Sequence, residues 1–343
     1  MRSMIELAQE LINNGSCYET HKSVLPCTMS KIVVHAGIFH TDDVMCCAMA
    51  RLIEPKVVVE RSNNPTDTTD VTKGVVVADV GGGRHYDDHS DDVKRHHDGT
   101  KYAACGLLYE DLKSALVEGA TPEGAALLEY LLMHIEATDN GGPMCSASRI
   151  INAFRPCWDD SISMDTAFDT AVKLMMRVVT GLLYSDPKDW GDTLLEKTSS
   201  PDDDTWTVFI VGVVAANPLD AGKKLAEIIR HEVRARESDD RAKKFLVKEL
   251  ADHIDDQHVV LTRFVPWQAT LVPRNAEFVA YPAIRGGWNV QCVPTELGGR
   301  AYKQSFPECW KNEKPAGCTF IHPTGFIAAF DSKESALAAM ATL

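Results

Sequence analysis

The run Lys31 to His35 (KIVVH) is apolar and rich in β-branched residues, which predicts a buried strand, and a turn follows at Ala36-Gly37. Behind Thr41 or Asp42, either of which can cap a helix, Val44, Cys47, Ala48 and Leu52 recur at helical spacing. Val57-Val58-Val59 predicts a second strand and Val75 to Asp79 (VVVAD) a third. Continuous apolar runs separated by helices indicate a parallel sheet covered on both faces. Helices are expected at about 103–118 and 122–138. Thr121 caps the second of these, Pro122 takes its first position and Asn140-Gly141 ends it. Another apolar-periodic helix runs from about Asp165 to Tyr184.

The flanks read differently. In residues 1–29, Ser3 and Glu6 form a capping-box pattern ahead of Leu7, Ala8, Leu11 and Ile12, so a short appended helix is expected, with Met29 an alternative start. Residues 185–205 are rich in Asp, Ser and Pro and read as an inserted loop; Trp206 to Val214 suits either a strand or a buried helix. A charged helix at about 220–253 leads to strand-like runs at 259–265, 277–284, 288–294, 318–322 and 326–330, then a helix capped by Asp331 and Glu334. The expected organisation is α/β with two lobes. It comprises an N-terminal extension (1–29), a parallel-sheet domain (30–160), a helical connector (161–253, with an insertion at about 185–220) and a smaller C-terminal α/β domain (254–343).

Charge and cysteine usage narrow the function. Against 35 Lys and Arg stand 49 Asp and Glu, a net charge of −14, which disfavours indiscriminate binding of long nucleic acid. The longest apolar stretch, Val208 to Ala216, falls far short of the roughly 20 residues that span a membrane. The ten cysteines contain no CxxC pair, which argues against zinc ribbons and thioredoxin chemistry and fits reduced thiols. Glu6 and Glu10 interrupt any leader-like apolar segment, so a cytoplasmic location is expected, with organelles and nucleus left open.

Six of the twelve histidines fall between His35 and His97, interleaved with aspartates. His35 ends a predicted strand, His40 and Asp42 lie in the turn entering a helix, and Asp79 ends the VVVAD strand. His85-Tyr-Asp87-Asp88-His89 follows a glycine run, and Asp139 ends a helix. In an open α/β sheet such strand ends converge on one crevice. Mixed imidazole and carboxylate donors suit Mn²⁺, Fe²⁺ or Zn²⁺ better than Mg²⁺ alone, and the number of candidates points to two ions that clamp a phosphoester and hold a bridging hydroxide. Asp43, Asp91 and Asp92 read as caps and turn residues, and His96-His97 as solvated loop histidines.

In order along the chain, these segments resemble the Myg (melanocyte proliferating gene) family of DHH-type metal-dependent phosphoesterases. The resemblance rests on His35-Ala-Gly-Ile-Phe-His40-Thr-Asp42-Asp43, on Asp79-Val-Gly, on His85 to His89 and on Glu136-Ala-Thr-Asp139-Asn-Gly141. It extends to Lys101 to Tyr109, to Ser148-Arg149 and to Pro156-Cys-Trp158. Towards the C-terminus it takes in Arg285-Gly-Gly-Trp288 to Pro294 and Gly317 to Phe326. The resemblance implies a DHH-like catalytic domain, a phosphodiesterase activity and, as in eukaryotic members, 3′-to-5′ RNA exonuclease action with Mn²⁺-like metals. It also implies His35, His40 and Asp42 on one metal, Asp79 bridging, position 88 and Asp139 on a second, and His89 facing the phosphate. The family pattern has two histidines after Tyr-Asp; here position 88 is Asp, which can ligate Mn²⁺ or Mg²⁺, so two outcomes stand: a site kept with a harder ligand set, or a changed metal preference or weak activity.

From Val259 to Pro323 seven Lys and Arg oppose four Glu, so this stretch is locally basic. Arg285 can present a fork to phosphate while Gly286 and Gly287 permit close backbone approach, and His322 offers a second contact at a strand-to-turn junction. Trp288, Trp310 and Phe326 suit base stacking or core packing. The sequence thus predicts a phosphodiesterase, with His89 and Asp79 catalytic, two divalent ions (Mn²⁺ ahead of Mg²⁺) and an RNA or short-oligonucleotide substrate. Two alternatives stand: a small-molecule phosphohydrolase acting on pyrophosphate or a dinucleotide, or a catalytically weak nucleotide-binding protein because of Asp88. Homodimerisation is left open.

Overall fold

A computed structural model describes residues 2–19, 29–63, 74–81, 86–88, 93–186, 194–195, 218–252, 256–284, 286–299, 301–322 and 324–343. The architecture is mixed α/β, in two compact units. One comprises residues 1–156 with 161–232; the other comprises 157–160 with 233–343.

The first unit is built on three parallel strands, β2 (Lys31–Val34), β3 (Val58–Arg61) and β4 (Val75–Val77), in the order β3-β2-β4. A short pair, β1 (Arg2–Ser3) with β5 (Leu194–Leu195), stands apart from it. Ile32, Val33 and Val34 of the central strand are fully buried, as strands between two helical layers must be. Around the sheet lie α1 (Met4–Asn14), α2 (Thr41–Ile53), α3 (Ala104–Leu116), α4 (Pro122–Asp139), α5 (Ser146–Ala153) and α6 (Met164–Tyr184). Thr121 caps α4 by accepting the Gly124 amide at 3.0 Å, with Pro122 at its first position.

Two expectations about organisation change. The appended helix joins the main core, because Leu7, Ala8 and the following Tyr18 are buried and α1 packs on α4. The stretch read as a connector is divided: α6 packs against α2 and α4 inside the first unit, because Phe168, Val172, Val179 and Leu182 complete that core. The helix Pro218–Glu249 runs from residues of the first unit into residues of the second. Trp206 to Val214, for which strand and helix both stood open, lies outside the described residues, as does nearly all of the predicted insertion.

The second unit is a five-stranded sheet of β6 (His258–Val260), β7 (Phe278–Pro282), β8 (Trp288–Cys292), β9 (Cys318–Ile321) and β10 (Ile327–Phe330), in the order β6-β7-β8-β10-β9. Only β6 and β7 pair in parallel. The helix Lys333–Met340 closes it, and its N-cap is Ser332, which accepts the Ser335 amide, rather than Asp331. Among the described residues no helix is long and apolar enough to cross a membrane.

Candidate metal centre

The site begins with strand register. Val33 of β2 lies opposite Val77 of β4, and Ala78 continues the ladder by donating to the Val33 carbonyl at 2.9 Å. Two residues further on, the same register sets His35 beside Asp79, with Nε2 and Oδ2 3.4 Å apart. The backbone of Asp79 is left-handed, with φ of 53°, and its amide donates to the Tyr86 carbonyl at 2.8 Å. A non-glycine residue in this region is uncommon; Asp and Asn tolerate it best, and such strain clusters at functional sites.

The second contribution comes from the start of α2. His40, not Thr41 or Asp42, is the N-cap, because the backbone is still extended there. Asp43 reaches back, and its Oδ2 accepts the His40 amide at 2.8 Å. The same oxygen lies 2.7 Å from His35 Nε2. One donor atom each from His35, His40, Asp43 and Asp79 lie within 4.8 Å of one another, and this is the candidate metal group among the described residues. Asp43, read from sequence as a cap only, is therefore both cap and member of the group. The doublet Asp42-Asp43 was its only signal, because which of two adjacent helical acids faces the strand end is decided by helix phase.

Asp42 also reaches α3. Its Oδ1 accepts the amide of Cys105, in the first turn of α3, at 2.7 Å. Its Oδ2 is buried with no hydrogen-bond partner among the described residues, as is Asp43 Oδ1. Burial, then the charges of Asp88 and Asp43, push the Asp42 carboxyl up to about 8. Asp139, the last residue of α4, is raised well above the carboxylate range by burial, by Asp42 and by Asp88, with which it shares a hydrogen bond. Asp79 is raised likewise, by burial and then by Asp43, Asp42, Asp139 and Asp88. Asp43 alone moves down: burial opposes ionisation, but His35 and His40 outweigh it. The predicted residues His35, His40, Asp42, Asp79, Asp88 and Asp139 thus belong to one electrostatic cluster. His89 lies outside the described residues.

Packed carboxylates with unpartnered buried oxygens are costly unless a cation pairs them. Together with two imidazoles they form a donor set that fits a divalent transition metal. Arg155, which the sequence reading passed over, sits close by. Its Nη2 donates to the Phe39 carbonyl in the loop between His35 and His40, and its guanidinium lies over the Phe39 ring. Burial lowers it to about 10, against the pull of Asp43.

His96 corrects an expectation. Far from solvated, it is buried, stacks on Tyr102 at 4.1 Å and holds Glu136 Oε2 at 2.6 Å. Two hydrophobic walls, from Tyr18 and Tyr102, close over this ring, and histidine spacing alone carried no sign of them.

In the second unit, Arg285 lies outside the described residues. Gly286 and Gly287 have φ of 88° and 73°, and a Cβ at Gly287 would meet the Phe330 carbonyl at 2.2 Å, so its small size is required by the sheet itself. His322 Nδ1 accepts the Thr324 amide at 3.2 Å, and the ring packs 4.5 Å from Phe326. Trp310 is buried on Phe306, and Lys333 lies over Trp288. Two of the seven cations counted above serve the fold: Lys303 Nζ donates to the carbonyls of Ala276 and Arg274, and Arg263 lies over Trp158 and Phe245.

The first unit gathers buried acids with the partly buried His35 and the exposed His40 beside the ends of parallel strands, a donor set of the kind that metal-dependent hydrolases use. The family model MYG1_exonuc, described as "Uncharacterised protein family (UPF0160)", matches residues 31–193 and 219–343. The chain belongs to this MYG1 exonuclease family. It is similar to MYG1 protein YER156C of Saccharomyces cerevisiae (22% identity, covering 90% of this chain and 94% of that protein). A second relative is MYG1 protein C694.04c of Schizosaccharomyces pombe (24% identity, 90% and 95%). The human MYG1 exonuclease is 36% identical over 76 residues, 19% of this chain and 20% of that protein. Among solved structures, RecJ in complex with Mn²⁺ from Thermus thermophilus aligns with 98% of this chain and 53% of its own length, about half, at 12% identity and a TM-score of 0.40.

Proposed function

We propose that this chain is a phosphodiesterase that removes nucleotides from the 3′ end of RNA or short oligonucleotides, with Mn²⁺ as the preferred ion and two ions in the working site. The observation that carries this reading is the gathering of donor atoms of His35, His40, Asp43 and Asp79 within 4.8 Å, beside the buried Asp42, whose Oδ2 has no hydrogen-bond partner among the described residues. In this reading the four grouped residues would hold one ion. Asp42, Asp88 and Asp139, with Asp79 shared, would hold the other. Bound divalent ions supply charge neutralisation for a phosphate and acidify water.

The chain's own side chains do the positioning. Asp43 fixes the His40 amide and the His35 ring together, so both imidazoles are presented from one braced loop. The left-handed turn at Asp79 aims its carboxylate at His35. His89, on the motif, is assigned to the phosphate oxygens or the leaving group, and Arg285 and His322 to the remainder of the substrate. Family membership supports nucleic acid as the substrate class, since relatives carry the name MYG1 exonuclease.

The test is release of nucleoside monophosphate from 5′-labelled short RNA under Mn²⁺ or Mg²⁺, by the purified chain and by Asp79→Asn. Mn²⁺-stimulated shortening from the 3′ end, lost in the variant, is expected. Turnover indifferent to oligonucleotide length would assign the site to a small phosphoester. No turnover in either metal would overturn the reading.

A further inference from the structure

Among the described residues Glu136 is a fully buried acid outside the metal cluster. Its Oε2 accepts the Tyr18 hydroxyl at 2.5 Å and the His96 Nε2 at 2.6 Å. Its Oε1 accepts the amide of Ala103 at 3.2 Å. Ala103 is the N-cap of α3, and it offers no side-chain cap of its own. The carboxylate of Glu136 therefore takes up the N-cap amide of α3 from outside the helix, as the reciprocal acid of a capping box does from within it. Two residues beyond Ala103, the Cys105 amide donates to Asp42 Oδ1. A continuous chain of contacts thus runs from Tyr18 and His96 through Glu136 to the first turn of α3, and from there to an acid of the metal cluster.

The donors come from two distant stretches, one at Tyr18 and one running from His96 to Ala103. Tyr18 lies ahead of the segment that the family model matches, which begins at residue 31. It is nonetheless buried, edge-on to His96, Tyr102 and Tyr109 at 5.1–5.5 Å. Its neighbours are tied down too: Lys113 donates to the Tyr18 carbonyl at 3.0 Å, and Tyr102 donates to the Cys17 carbonyl at 3.2 Å. Gly106 completes the arrangement, because a Cβ there would lie 1.7 Å from Glu136 Oε1. The first turn of α3 can approach the carboxylate only because this position is glycine.

We propose that Glu136 is a positioning residue for the metal centre, held in place by Tyr18 of the N-terminal segment and by His96, and that it sets the α3 amide that orients Asp42. This rests on the metal-centre reading above. Partners that orient metal ligands from outside the coordination sphere commonly contribute 10–100-fold to affinity or activity, by roughly the same logic as here. Asp42 would lose its fixed orientation, not its charge, when the chain of contacts is cut.

The experiment is a Mn²⁺ titration followed by electron paramagnetic resonance, with thermal melting alongside, on the full chain and three variants. Tyr18→Phe removes one hydroxyl and keeps the ring. Glu136→Gln keeps the shape and removes the charge. Tyr109→Phe removes a buried hydroxyl from the same aromatic cluster, but one that donates to Glu129 at 3.2 Å instead of to Glu136. Tyr18→Phe is expected to bind Mn²⁺ about tenfold more weakly and to lower kcat without raising KM. Glu136→Gln is expected to do so more strongly, while Tyr109→Phe melts earlier yet binds Mn²⁺ as the wild type does. Folded Tyr18→Phe with wild-type Mn²⁺ affinity overturns the proposal. So does an equal loss of affinity in Tyr109→Phe, which would make the effect one of general stability. A wild-type chain that binds no Mn²⁺ overturns instead the functional reading on which the proposal rests.

Discussion

Asp43 Oδ2 and His35 Nε2 lie 2.7 Å apart, and that same oxygen accepts the amide of His40. One atom therefore joins a helix cap to the candidate metal group, so the geometry of the group is set by secondary structure rather than by flexible side chains. Asp43→Asn keeps an acceptor for the His40 amide and removes the charge. The expected result is a helix start that stays folded, with a Tm near that of the wild type, and Mn²⁺ affinity reduced by at least about tenfold. Calorimetric titration with Mn²⁺ and a melting curve in chelator measure the two effects separately.

The buried acids oppose one another when no cation is present. Neutralising Asp79, whose ionised form is disfavoured by burial and then by four neighbouring aspartates, should relieve that opposition. Asp79→Asn is therefore expected to melt no lower than the wild type in EDTA, yet to gain nothing from Mn²⁺. Asp79→Ala should be less stable than Asp79→Asn by about 1 kcal/mol, because the left-handed backbone that asparagine tolerates is strained for alanine. Parallel melts in EDTA and in Mn²⁺ give both comparisons.

Bound metal should appear as stability. A ligand at a hundred times its Kd stabilises the folded state by about 2.7 kcal/mol. The wild-type chain is expected to melt several degrees higher in Mn²⁺ than in EDTA, reversibly on chelation. A melting temperature indifferent to Mn²⁺ and Mg²⁺ would count against the centre.

His96 gives the pH dependence a definite sign. Burial pulls its pKa down, but the hydrogen bond and charge of Glu136 win and hold it above 6.5. A histidine raised in the folded state contributes stability that is fully present below the unfolded value, near 6.5, and is lost as pH rises through the folded value. The melting-temperature gap between wild type and His96→Gln should be widest below pH 6.5 and narrow as the solution becomes alkaline. A gap that widens with pH would reverse the assignment of charge to this pair.

Two glycines separate packing from positioning. A Cβ at Gly124 would meet the backbone carbonyl of Leu182, where α4 and α6 cross closely, at 2.0 Å. Gly124→Ala is expected to cost about 1–3 kcal/mol in denaturant unfolding and to leave Mn²⁺ affinity unchanged in the folded fraction. Gly106→Ala should lower both, since its methyl displaces Glu136.

The strands and helices nearest the site were legible because their signals are local. A β-branched run such as Ile32-Val33-Val34 can be buried in few ways, and Thr121-Pro122 announces a helix start within four residues. His35 and Asp79 were legible for the same reason: each stands at the end of such a run, and parallel strands bring their ends together. The reading of His96 as a solvated loop residue failed because burial depends on what covers a residue. Its cover, Tyr18 and Tyr102, comes from one segment 78 positions away and another six away, by the numbering.

From the amino-acid order alone followed the alternation of strand and helix, the convergence of imidazoles and carboxylates on one sheet edge, and the chemical class that such donors serve. Each of these depends on periodicity and on residue type, which act over a few neighbouring positions. Three-dimensional packing decided which acid of the Asp42-Asp43 pair meets His35, that Glu136 directs its charge at the start of α3, and that Tyr18 belongs to the core. Those outcomes turn on helix phase and on contacts between residues 33 and 118 positions apart, where the free energy is set by excluded volume and by burial of charge that no short stretch of sequence records.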